Sequence, residues 1–420
     1  MSFWRFFWPG RIAGASAEAN RAHVAVFVIF ALNGFAFANW AARIPAVRDG
    51  LGLTPARMGL LLLVGSVGSL LALPLSGLVV QRFGARTTIA VSSVVNGTGA
   101  VAIGFALAAG QVVGVGIGAL LLCVGTSLWD AAMNLEGAAV ERELGVSTMP
   151  RLHAGFSLGT VAGAGVGAVA AFLHVAVHWH LLAVVVSYVA AIAVAVRALL
   201  PDAHHVDESP GVEATGSSAR GRARSAMRAW TEPRTLMIGL VVLAAALTEG
   251  AANDWVGLAV VDSFHTDNGT GALAFAAFVL AMTIMRFGGT ALLDRYGRLV
   301  VLRLCAGLAL VGLLVFGLSP SLPLAFVGVM IWGAGAALGF PVGISAASDD
   351  PAHAAVRVSV VATIGYSAFL AGPPVLGLLA DQVGYRGALL FIVIPVLAGL
   401  VVMKAAAPPV AEPSAEARLG

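Results

Sequence analysis

The sequence has very little charge: Asp, Glu, Lys and Arg make up 11% of its 420 residues, whereas soluble domains carry roughly 25%. Hydrophobic residues make up 59% of the chain. A soluble chain of this composition would need a very large core with almost no polar surface, which excludes an ordinary soluble protein. The composition therefore predicts a membrane protein.

Several chemical signatures are also missing. There are only two cysteines, Cys123 and Cys305, and both fall inside predicted helices, where we interpret them as packing residues. We find no phosphate-binding glycine loop with its lysine, no catalytic triad and no zinc-ligand spacing. We therefore expect no cofactor, no metal, no direct use of ATP and no enzyme activity. The net charge of +3 follows from membrane topology and does not indicate nucleic-acid binding.

The most informative feature is a membrane plan that occurs twice. About twelve apolar stretches run from Ala22 to Lys404, and the charged segment Pro201 to Arg234 divides them into six and six. Each crossing needs about 20 apolar residues. We expect an all-α membrane protein with twelve transmembrane helices in two pseudo-symmetric six-helix halves. The predicted helices are 22–42, 56–80, 87–109, 112–139, 152–173, 179–200, 235–261, 270–293, 299–318, 322–347, 358–380 and 387–405.

This plan predicts five regions along the chain. They are a cytoplasmic N-terminal segment (1–21), the N-terminal bundle (22–200), a cytoplasmic linker (201–234), the C-terminal bundle (235–405) and a disordered tail (406–420). The aromatic stretch Phe3 to Trp8 is too short for a signal peptide, and we expect it to lie along the membrane surface. A short amphipathic helix is predicted near Arg222 to Trp230.

The basic residues predict the orientation. Most of the 24 Lys and Arg fall on the side of the termini and the linker, whereas Arg43, Arg48, Arg57 and Arg386 fall on the other side. Basic residues are enriched in cytoplasmic loops. We therefore expect a multi-pass protein of a bacterial inner membrane with both termini in the cytoplasm.

Short motifs repeat at equivalent places in the two halves. Asn33-Gly34 in the first helix matches Glu249-Gly250 in the seventh. The turn after the second helix contains Gln81, Arg82, Gly84 and Arg86, and the turn after the eighth contains Asp294, Arg295, Gly297 and Arg298. Glycine permits a tight turn there. A carboxylate at a helix end can pair with neighbouring arginines and so latch one conformation, although Gln81 replaces the acid in the first copy.

These two turns resemble the cytoplasmic signature of the major facilitator superfamily, a glycine helix end followed by Asp-Arg-x-Gly-Arg. The resemblance covers the whole membrane region and implies a secondary transporter with its substrate site between the halves. Further segments are similar to a poorly characterised group of bacterial inner-membrane proteins, itself similar to fucose- and glucose-type proton symporters. These segments are Asn39 to Pro45, His153 to Gly159 and Glu249 to Trp255.

Ionisable residues inside the predicted helices are candidates for proton coupling, since charge within a membrane is costly. Glu249 falls midway along the seventh helix, with Asn253 one turn further on the same face and Asp254 nearer the periplasm. We expect Glu249 to be the coupling site and Asp254 its partner. The alternative is static pairing with helix ends or Arg43. Arg286 in the eighth helix could bind an anionic group, neutralise a carboxylate or extend towards the cytoplasm.

Polar stripes on the fourth, fifth and eleventh helices predict a substrate cavity. Asp130 and Asn134 lie one turn apart, and Glu136 is expected to face His153 as a proton relay, a gate or a structural pair. Asp130, Glu136 and His153 are therefore further candidates for proton coupling. A glycine face on the fifth helix permits close packing and leaves its polar stripe for the cavity. The candidate cavity residues are Asn33, Trp40, Trp129, Asn134, Ser157, Asn253, Arg286, Trp332, Thr363 and Tyr366. Trp129 and Trp332 are expected to be apolar platforms for a sugar-like solute.

The sequence alone leaves several functions open. Our first hypothesis is a proton-coupled symporter of a small polar solute such as a sugar, acting as a monomer. The second is a proton-driven efflux antiporter of amphipathic compounds, although the fifth helix lacks the proline of the usual antiporter signature. The third is a membrane protein that binds a ligand without transporting it. We expect partners to be the solute, protons and lipid.

Overall fold

The computed structural model describes residues 15–201, 228–350 and 353–408. Our expectations for the segment before residue 15, for most of the linker and for the tail after residue 408 concern residues outside these ranges. Within the described ranges the chain is almost entirely helical and contains no β-strand.

The first half consists of six membrane-crossing helices, α1 to α6. Helix α1 covers Ala17–Leu51 in two segments, Ala17–Ala41 and Ile44–Leu51. Helices α2 and α3 form the element Pro55–Ala108, which reverses direction at Gly84. The remaining helices are α4 (Val112–Leu144), α5 (Met149–Phe172) and α6 (Val177–Ala198).

The second half repeats this arrangement as α7 to α12. Helix α10 is interrupted after Ala336, and α12 begins after Gly384. The helices are α7 (Pro233–Phe264), α8 (Asn268–Tyr296), α9 (Arg298–Leu318), α10 (Leu322–Ala336 and Gly339–Ala347), α11 (354–383) and α12 (385–406). Both halves therefore have the same order of helices.

The number of crossings follows from two long elements. Ten helices are long and apolar enough to cross a membrane, and two of them, Pro55–Ala108 and Val356–Ala406, contain 54 and 51 residues. A helix of about 50 residues would be roughly 75 Å long, far more than the roughly 30 Å hydrocarbon core. Each reverses at a glycine, so the structure has twelve crossings in two six-helix halves, which confirms the predicted fold class.

The two signature turns have nearly the same backbone conformation. Gly84 has φ 79° and ψ 158°, and Gly297 has φ 76° and ψ 162°. A side chain at either position would disfavour this positive φ. The repeated glycine of the sequence motif is therefore required by the reversal itself in both halves.

Helix α5 packs closely against α1 through its glycine face. A Cβ atom added at Gly159 would overlap the carbonyl group of Ala31, and one at Gly163 would lie 2.5 Å from the carbonyl oxygen of Phe35. Helices α7 and α11 are also in contact, with Gly250 against the ring of Phe369. Small residues permit this close approach where hydrophobic burial cannot drive helix association.

The two ends of the bundle differ. The loops after α1, α3, α5, α7, α9 and α11 lie at one end, which we call the sealed end. The other end carries the linker and both termini, and we call it the terminal end. The halves contact each other through α5 with α8 and α2 with α11. Close approaches such as Gly59 to Pro373 lie near the sealed end. His153 and Asp130 of the first half interact electrostatically with Arg286 and Tyr366 of the second, and we call the space between these four side chains the cavity.

Candidate functional site

An ion pair lies in the middle of the second half, at the cavity. The Arg286 Nη2 atom donates to both carboxylate oxygens of Glu249, each at 3.0 Å. The Arg286 Nε atom donates to the carbonyl oxygen of Ala337 at 3.1 Å. Ala337 lies in the interruption of α10, where the helix leaves a carbonyl group for another partner. Three helices thus meet at one guanidinium group.

The ion pair is partly accessible from the cavity. The Glu249 side chain is 19% exposed and that of Arg286 is 28% exposed. The sequence analysis singled out both residues, and the structure brings them together. The counterpart of Glu249 in the first half, Asn33, is 2% exposed, and its amide nitrogen has no hydrogen-bond partner among the described residues. The repeat therefore places an ion pair in one half and an amide in the other.

Asp130 lies on α4 at a comparable depth in the first half. The Asn134 amide donates to the Asp130 backbone carbonyl at 2.8 Å and approaches its carboxylate at 3.4 Å. Across the cavity, the Asp130 carboxylate interacts electrostatically with Tyr366 of α11. No cationic side chain in the described parts of the chain forms a salt bridge with Asp130. The structure thus brings three of the predicted cavity residues together.

Asp254 lies further towards the sealed end on α7. It lines a small crevice between α7 and α11 together with Phe369, Gly372 and Pro373. Its carboxylate interacts electrostatically with Cys123 of α4, across the two halves. Over the ranges that the structure describes, Asp254 is paired with no cationic residue. Asn253 beside it is half-buried.

The predicted tryptophan platforms are wrong. Trp129 and Trp332 are 1% and 0% exposed, and neither indole N–H has a partner in the described structure. Trp129 packs on Tyr188 within the first half, and Trp332 packs between Phe278 and Phe316 within the second. Sequence spacing placed these residues at equivalent positions but could not show that both rings point into their own half.

Trp40, a further predicted cavity residue, is also buried, with 8% exposure. The aromatic side chain that reaches the cavity is Tyr366, which is 46% exposed. Its ring lies between Phe340 and Phe369, at centroid distances of 5.8 and 6.3 Å. Sequence reasoning missed both phenylalanines, and nothing in their spacing distinguishes them from ordinary apolar residues of a membrane helix.

The polar stripes of α5 and α11 differ in their surroundings. Ser157 is 6% exposed, and the Thr160 hydroxyl donates to the Phe156 carbonyl close to Gly34 of α1. Thr363 is exposed on α11. Thr363 of the α11 stripe is therefore accessible, whereas Ser157 and Thr160 of the α5 stripe are buried, with Thr160 against α1.

Glu136 and His153, the predicted acid–histidine pair, contact different parts of the structure. Glu136 is fully buried, and one of its carboxylate oxygens accepts a hydrogen bond from the Leu200 backbone N–H at 3.0 Å. His153 is exposed, with its ring edge-on to Phe30 at 5.2 Å and Arg286 near enough to interact electrostatically. His153 therefore faces the ion pair of the other half across the cavity.

A buried polar network near the sealed end was not foreseen. Arg43 is 3% exposed; its Nε donates to His180 Nδ1 at 2.9 Å, and its Nη2 donates to the Val175 carbonyl at 2.8 Å. His180 Nε2 lies 2.9 Å from Asn39 Oδ1. Because the Asn39 amide nitrogen donates to Phe35, its oxygen is the acceptor and His180 carries the proton on Nε2. The four-residue spacing of Asn39 and Arg43 on α1 was the available sequence signal.

The signature residues at the terminal end make local contacts. The Arg82 and Arg295 guanidinium groups lie over the neighbouring rings of Phe83 and Tyr296. Arg86 Nη2 donates to the Leu199 carbonyl at 3.1 Å. Asp294 is exposed and makes no hydrogen bond or ion pair with the described part of the chain. Gln81 lies beside Arg82 in the first copy. The expected pairing of the latch carboxylate with these arginines is thus not formed here.

Arg298 instead pairs with an acid that the sequence analysis missed. Its Nη1 and Nη2 donate to the two Asp349 oxygens at 2.8 and 2.7 Å, and Arg234 Nη2 donates to the same carboxylate at 2.7 Å. Burial acts to raise the pKa of Asp349, but the hydrogen bonds from the two arginines lower it by a larger amount, so the pKa lies below its ordinary value. Asp349 follows α10 and ties that helix to α7 and α9.

A second terminal-end pair joins Glu232 and Arg357. Arg357 donates to both Glu232 oxygens at 2.8 Å. Burial acts to raise the pKa of Glu232, but hydrogen bonds from Arg357 and Thr235 lower it below the ordinary value.

In the described residues, no group of three or more His, Cys, Asp or Glu side chains is placed to hold a metal ion.

Comparison with known proteins agrees with this architecture. A sequence model described as the Major Facilitator Superfamily matches residues 238–419. An uncharacterised transporter of Sinorhizobium fredii, y4wD, is 29% identical over 377 residues, which cover 90% of this chain and 95% of the relative. The sequence model matches the second half, whereas the alignment with the relative extends over both halves.

Solved structures are similar in fold. The nucleoside transporter NupG superposes with a TM-score of 0.71 at 14% identity, covering 93% of this chain and 99% of its own. The E. coli fucose:proton symporter FucP superposes with a TM-score of 0.62 at 14% identity, covering 92% and 98%. At this identity the likeness establishes the twelve-helix fold and leaves the solute of this protein open.

Proposed function

We propose that the chain is a member of the major facilitator superfamily and a proton-coupled secondary active transporter working by alternating access. We further propose that it transports a small polar solute, such as a sugar, together with protons. The positive-inside distribution of Lys and Arg supports a cytoplasmic terminal end in a bacterial inner membrane. The cavity then opens towards the cytoplasm in this conformation, and the working unit is a monomer.

The observation that carries this proposal is the Glu249–Arg286 ion pair at mid-membrane. An ion pair in which one guanidinium nitrogen donates to both carboxylate oxygens is stable while both partners are charged. Protonation of Glu249 removes its charge and weakens the two hydrogen bonds from Arg286. The guanidinium group is then held by the Ala337 carbonyl at the interruption of α10 and is available to a solute. A proton would thus change the contacts of α7, α8 and α10 in one step.

Such a change can drive transport only if it affects the two conformations unequally. Arg286 and Glu249 belong to the second half, whereas His153, which interacts with Arg286, belongs to the first. Rocking of the halves changes this distance and therefore the energy of the charged pair. Protonation consequently shifts the balance between the conformations, which is what coupling requires.

Solute recognition is assigned to the groups that face the cavity beside the ion pair. Asp130 and Asn134 of the first half offer hydrogen-bond acceptors and a donor, and Tyr366 of the second half offers a hydroxyl and a ring face. A ring face opposite planar polar groups suits a solute with hydroxyl groups on one side and an apolar face on the other. Thr363 lies one turn from Tyr366 and extends this surface.

Proton movement in proteoliposomes with a trapped pH dye tests the proposal. Monosaccharides, nucleosides, amino acids and lipophilic cations are added outside to wild type, Glu249→Gln and Glu232→Gln. Glu232 is the matched control because it too is held by an arginine, but at the terminal end. Inward proton movement with one polar solute, lost in Glu249→Gln and kept in Glu232→Gln, is the expected result.

Three outcomes would contradict the proposal. Proton movement that survives in Glu249→Gln would remove that residue from the coupling step. Proton movement only with lipophilic cations would favour the efflux antiporter. Solute binding without any flux, measured in parallel by calorimetry, would favour a protein that binds its ligand without transporting it.

A further inference from the structure

The two halves meet backbone to backbone near the sealed end. A Cβ atom added at Gly59 of α2 would lie 2.5 Å from the carbonyl oxygen of Pro373. One added at Gly377 of α11 would lie 2.6 Å from the carbonyl oxygen of Pro55. Real Cβ atoms do not approach that closely, so only glycine permits this contact between the halves.

A hydrogen bond between the halves completes the first turn of α2. The backbone N–H of Ala56 donates to the Asp381 carboxylate of α11 at 3.2 Å. Pro55 has no N–H, and the Arg57 and Met58 N–H groups donate to the Thr54 side chain and carbonyl. Among these first-turn N–H groups, that of Ala56 is the one that has no acceptor in its own half. The second half supplies the cap.

Arg48 makes the second polar contact across the halves. Its guanidinium group pairs with Asp49 of its own helix at 2.6 Å. It also approaches the Asp262 carboxylate and the Tyr385 hydroxyl of the second half, both at 3.4 Å, and lies over the Tyr385 ring at 5.5 Å. The Arg48 side chain is only 12% exposed, so separation of the halves would leave it without these partners.

A third contact lies deeper between α2 and α11. Because Pro373 has no N–H, the carbonyl of Phe369 has no helical donor four residues later. The Ser66 hydroxyl of α2 donates to this carbonyl at 3.1 Å. The proline therefore frees an acceptor within the membrane, and the other half occupies it.

We propose that Asp381, together with Arg48, forms a clasp that holds the sealed end closed and sets the balance between the two conformations of the transport cycle. The inference rests on the alternating-access part of the proposed function and not on the solute or the proton. When the sealed end opens, Ala56 loses its cap and Arg48 loses Asp262 and Tyr385. Removing the Asp381 carboxylate therefore favours the conformation that is open at the sealed end.

Distance measurements between two spin labels test the clasp directly. Labels are placed at Arg57 and Val383, exposed positions near the sealed ends of α2 and α11, after both native cysteines are replaced by serine. Pulsed electron resonance on the reconstituted protein then gives the distribution of distances between the halves. Asp381→Ala is expected to raise the long-distance population about fivefold, as loss of a helix cap changes an equilibrium by roughly 1 kcal/mol.

Asp267→Ala is the matched control. The Asp267 carboxylate accepts from the Thr270 backbone N–H at 2.7 Å and so caps its own helix α8, at the same end of the bundle. Its replacement is expected to leave the distance distribution unchanged. If Asp381→Ala gives the same distribution as wild type, or if Asp267→Ala gives the same shift, the clasp is refuted.

A larger perturbation gives a second, independent measurement. Gly59→Trp places a ring against Pro373 and should move most of the population to the long distance. Gly77→Trp on the same helix, where a Cβ meets nothing within 4 Å, should not. These readouts need neither a substrate nor a proton gradient, so a failed coupling assay leaves them valid. A short distance in Gly59→Trp that remains correctly folded would also contradict the clasp.

Discussion

The two six-helix halves share one helical plan but stabilise polar groups in the membrane differently. In the first half the Asn96 amide donates to Thr126 at 2.8 Å and accepts from the Tyr188 hydroxyl at 2.7 Å. In the second half Glu249 and Arg286 form an ion pair. Arg286 lies 11 residues before Gly297, and the residue 11 before Gly84 in the first half is Leu73. The positions of Asn33 and Leu73 in the first half therefore correspond to those of Glu249 and Arg286 in the second half.

This difference separates a scaffold from a responsive element. Amide and hydroxyl networks keep their protonation over the physiological pH range, so they fix geometry without responding to protons. A carboxylate paired with an arginine loses its negative charge when it binds a proton and regains it when the proton leaves. The account therefore assigns proton response to the second half and assigns Asp130 in the first half to the solute.

The largest expected effect tests what the halves share. Trp129 and Trp332 are both buried within their own halves, so Trp129→Ala and Trp332→Ala should each destabilise the protein by about 3 kcal/mol through lost packing. Tyr366→Ala, at the cavity, should change the free energy of unfolding by less than about 1 kcal/mol but weaken solute binding. Denaturation in mixed micelles and solute-binding calorimetry measure the two effects. Weaker binding in Trp332→Ala at full stability would restore it as a cavity platform.

The next effect tests what distinguishes the halves. Arg286→Gln leaves the Glu249 carboxylate without its cation and should destabilise the protein by about 2 kcal/mol, since the pair is partly solvated. Adding Glu249→Gln removes that charge and should restore most of the loss. The same micelle denaturation on the two single variants and the double variant gives the coupling energy. Additive effects would indicate that the ion pair contributes nothing beyond its separate parts.

The smallest effect compares the terminal ends of the halves. Asp349 pairs with two arginines, and its pKa is lowered, so its stabilisation is present above the ordinary carboxyl pKa of about 4 and is lost as the pH falls through the lower folded value. Glu141 in the first half accepts only from backbone and hydroxyl groups in its recorded contacts. Asp349→Asn should cost about 1 kcal/mol at neutral pH, and added salt should reduce that cost.

Glu141→Gln serves as the comparison, because its cost should depend less on salt. Melting temperatures of the purified protein between neutral pH and pH 3, at low and high salt, measure both variants. A cost of Asp349→Asn that is independent of salt and pH would show that the carboxylate acts as a neutral hydrogen-bond acceptor only.

The fold was largely predictable from the sequence because the membrane makes strong demands. Span length, the polar linker and the repeated glycine turns determine twelve helices in two halves. The interruption of α10 near Ala337 was not predicted, although Pro341 was the available signal: it has no N–H to donate to the Ala337 carbonyl four residues earlier. Residues 55–108 and 354–390 are each one continuous helix except at a single glycine, and hydropathy divides both stretches correctly.

The site was predicted in its members but not in its contacts. Glu249 and Arg286 were singled out because charge is rare in a span, yet their pairing depends on the rotation of α7 against α8. In the same way, the rotations of α4, α10 and α11 about their own axes bury Trp129 and Trp332 and leave Tyr366 exposed. Asp349 and His180 were missed for another reason, because their partners are distant in sequence and they lie at helix ends, where charges and histidines are common.

The protonation of Glu249 is the central claim, and infrared difference spectroscopy between alkaline and acidic buffer tests it most directly. A protonated carboxylic acid has a carbonyl stretch that a carboxylate lacks. The account predicts such a band in wild type and in Glu232→Gln on acidification, and its absence in Glu249→Gln. Identical spectra in wild type and Glu249→Gln, with the band missing instead from Asp254→Asn, would contradict the account and move the proton to the crevice between α7 and α11.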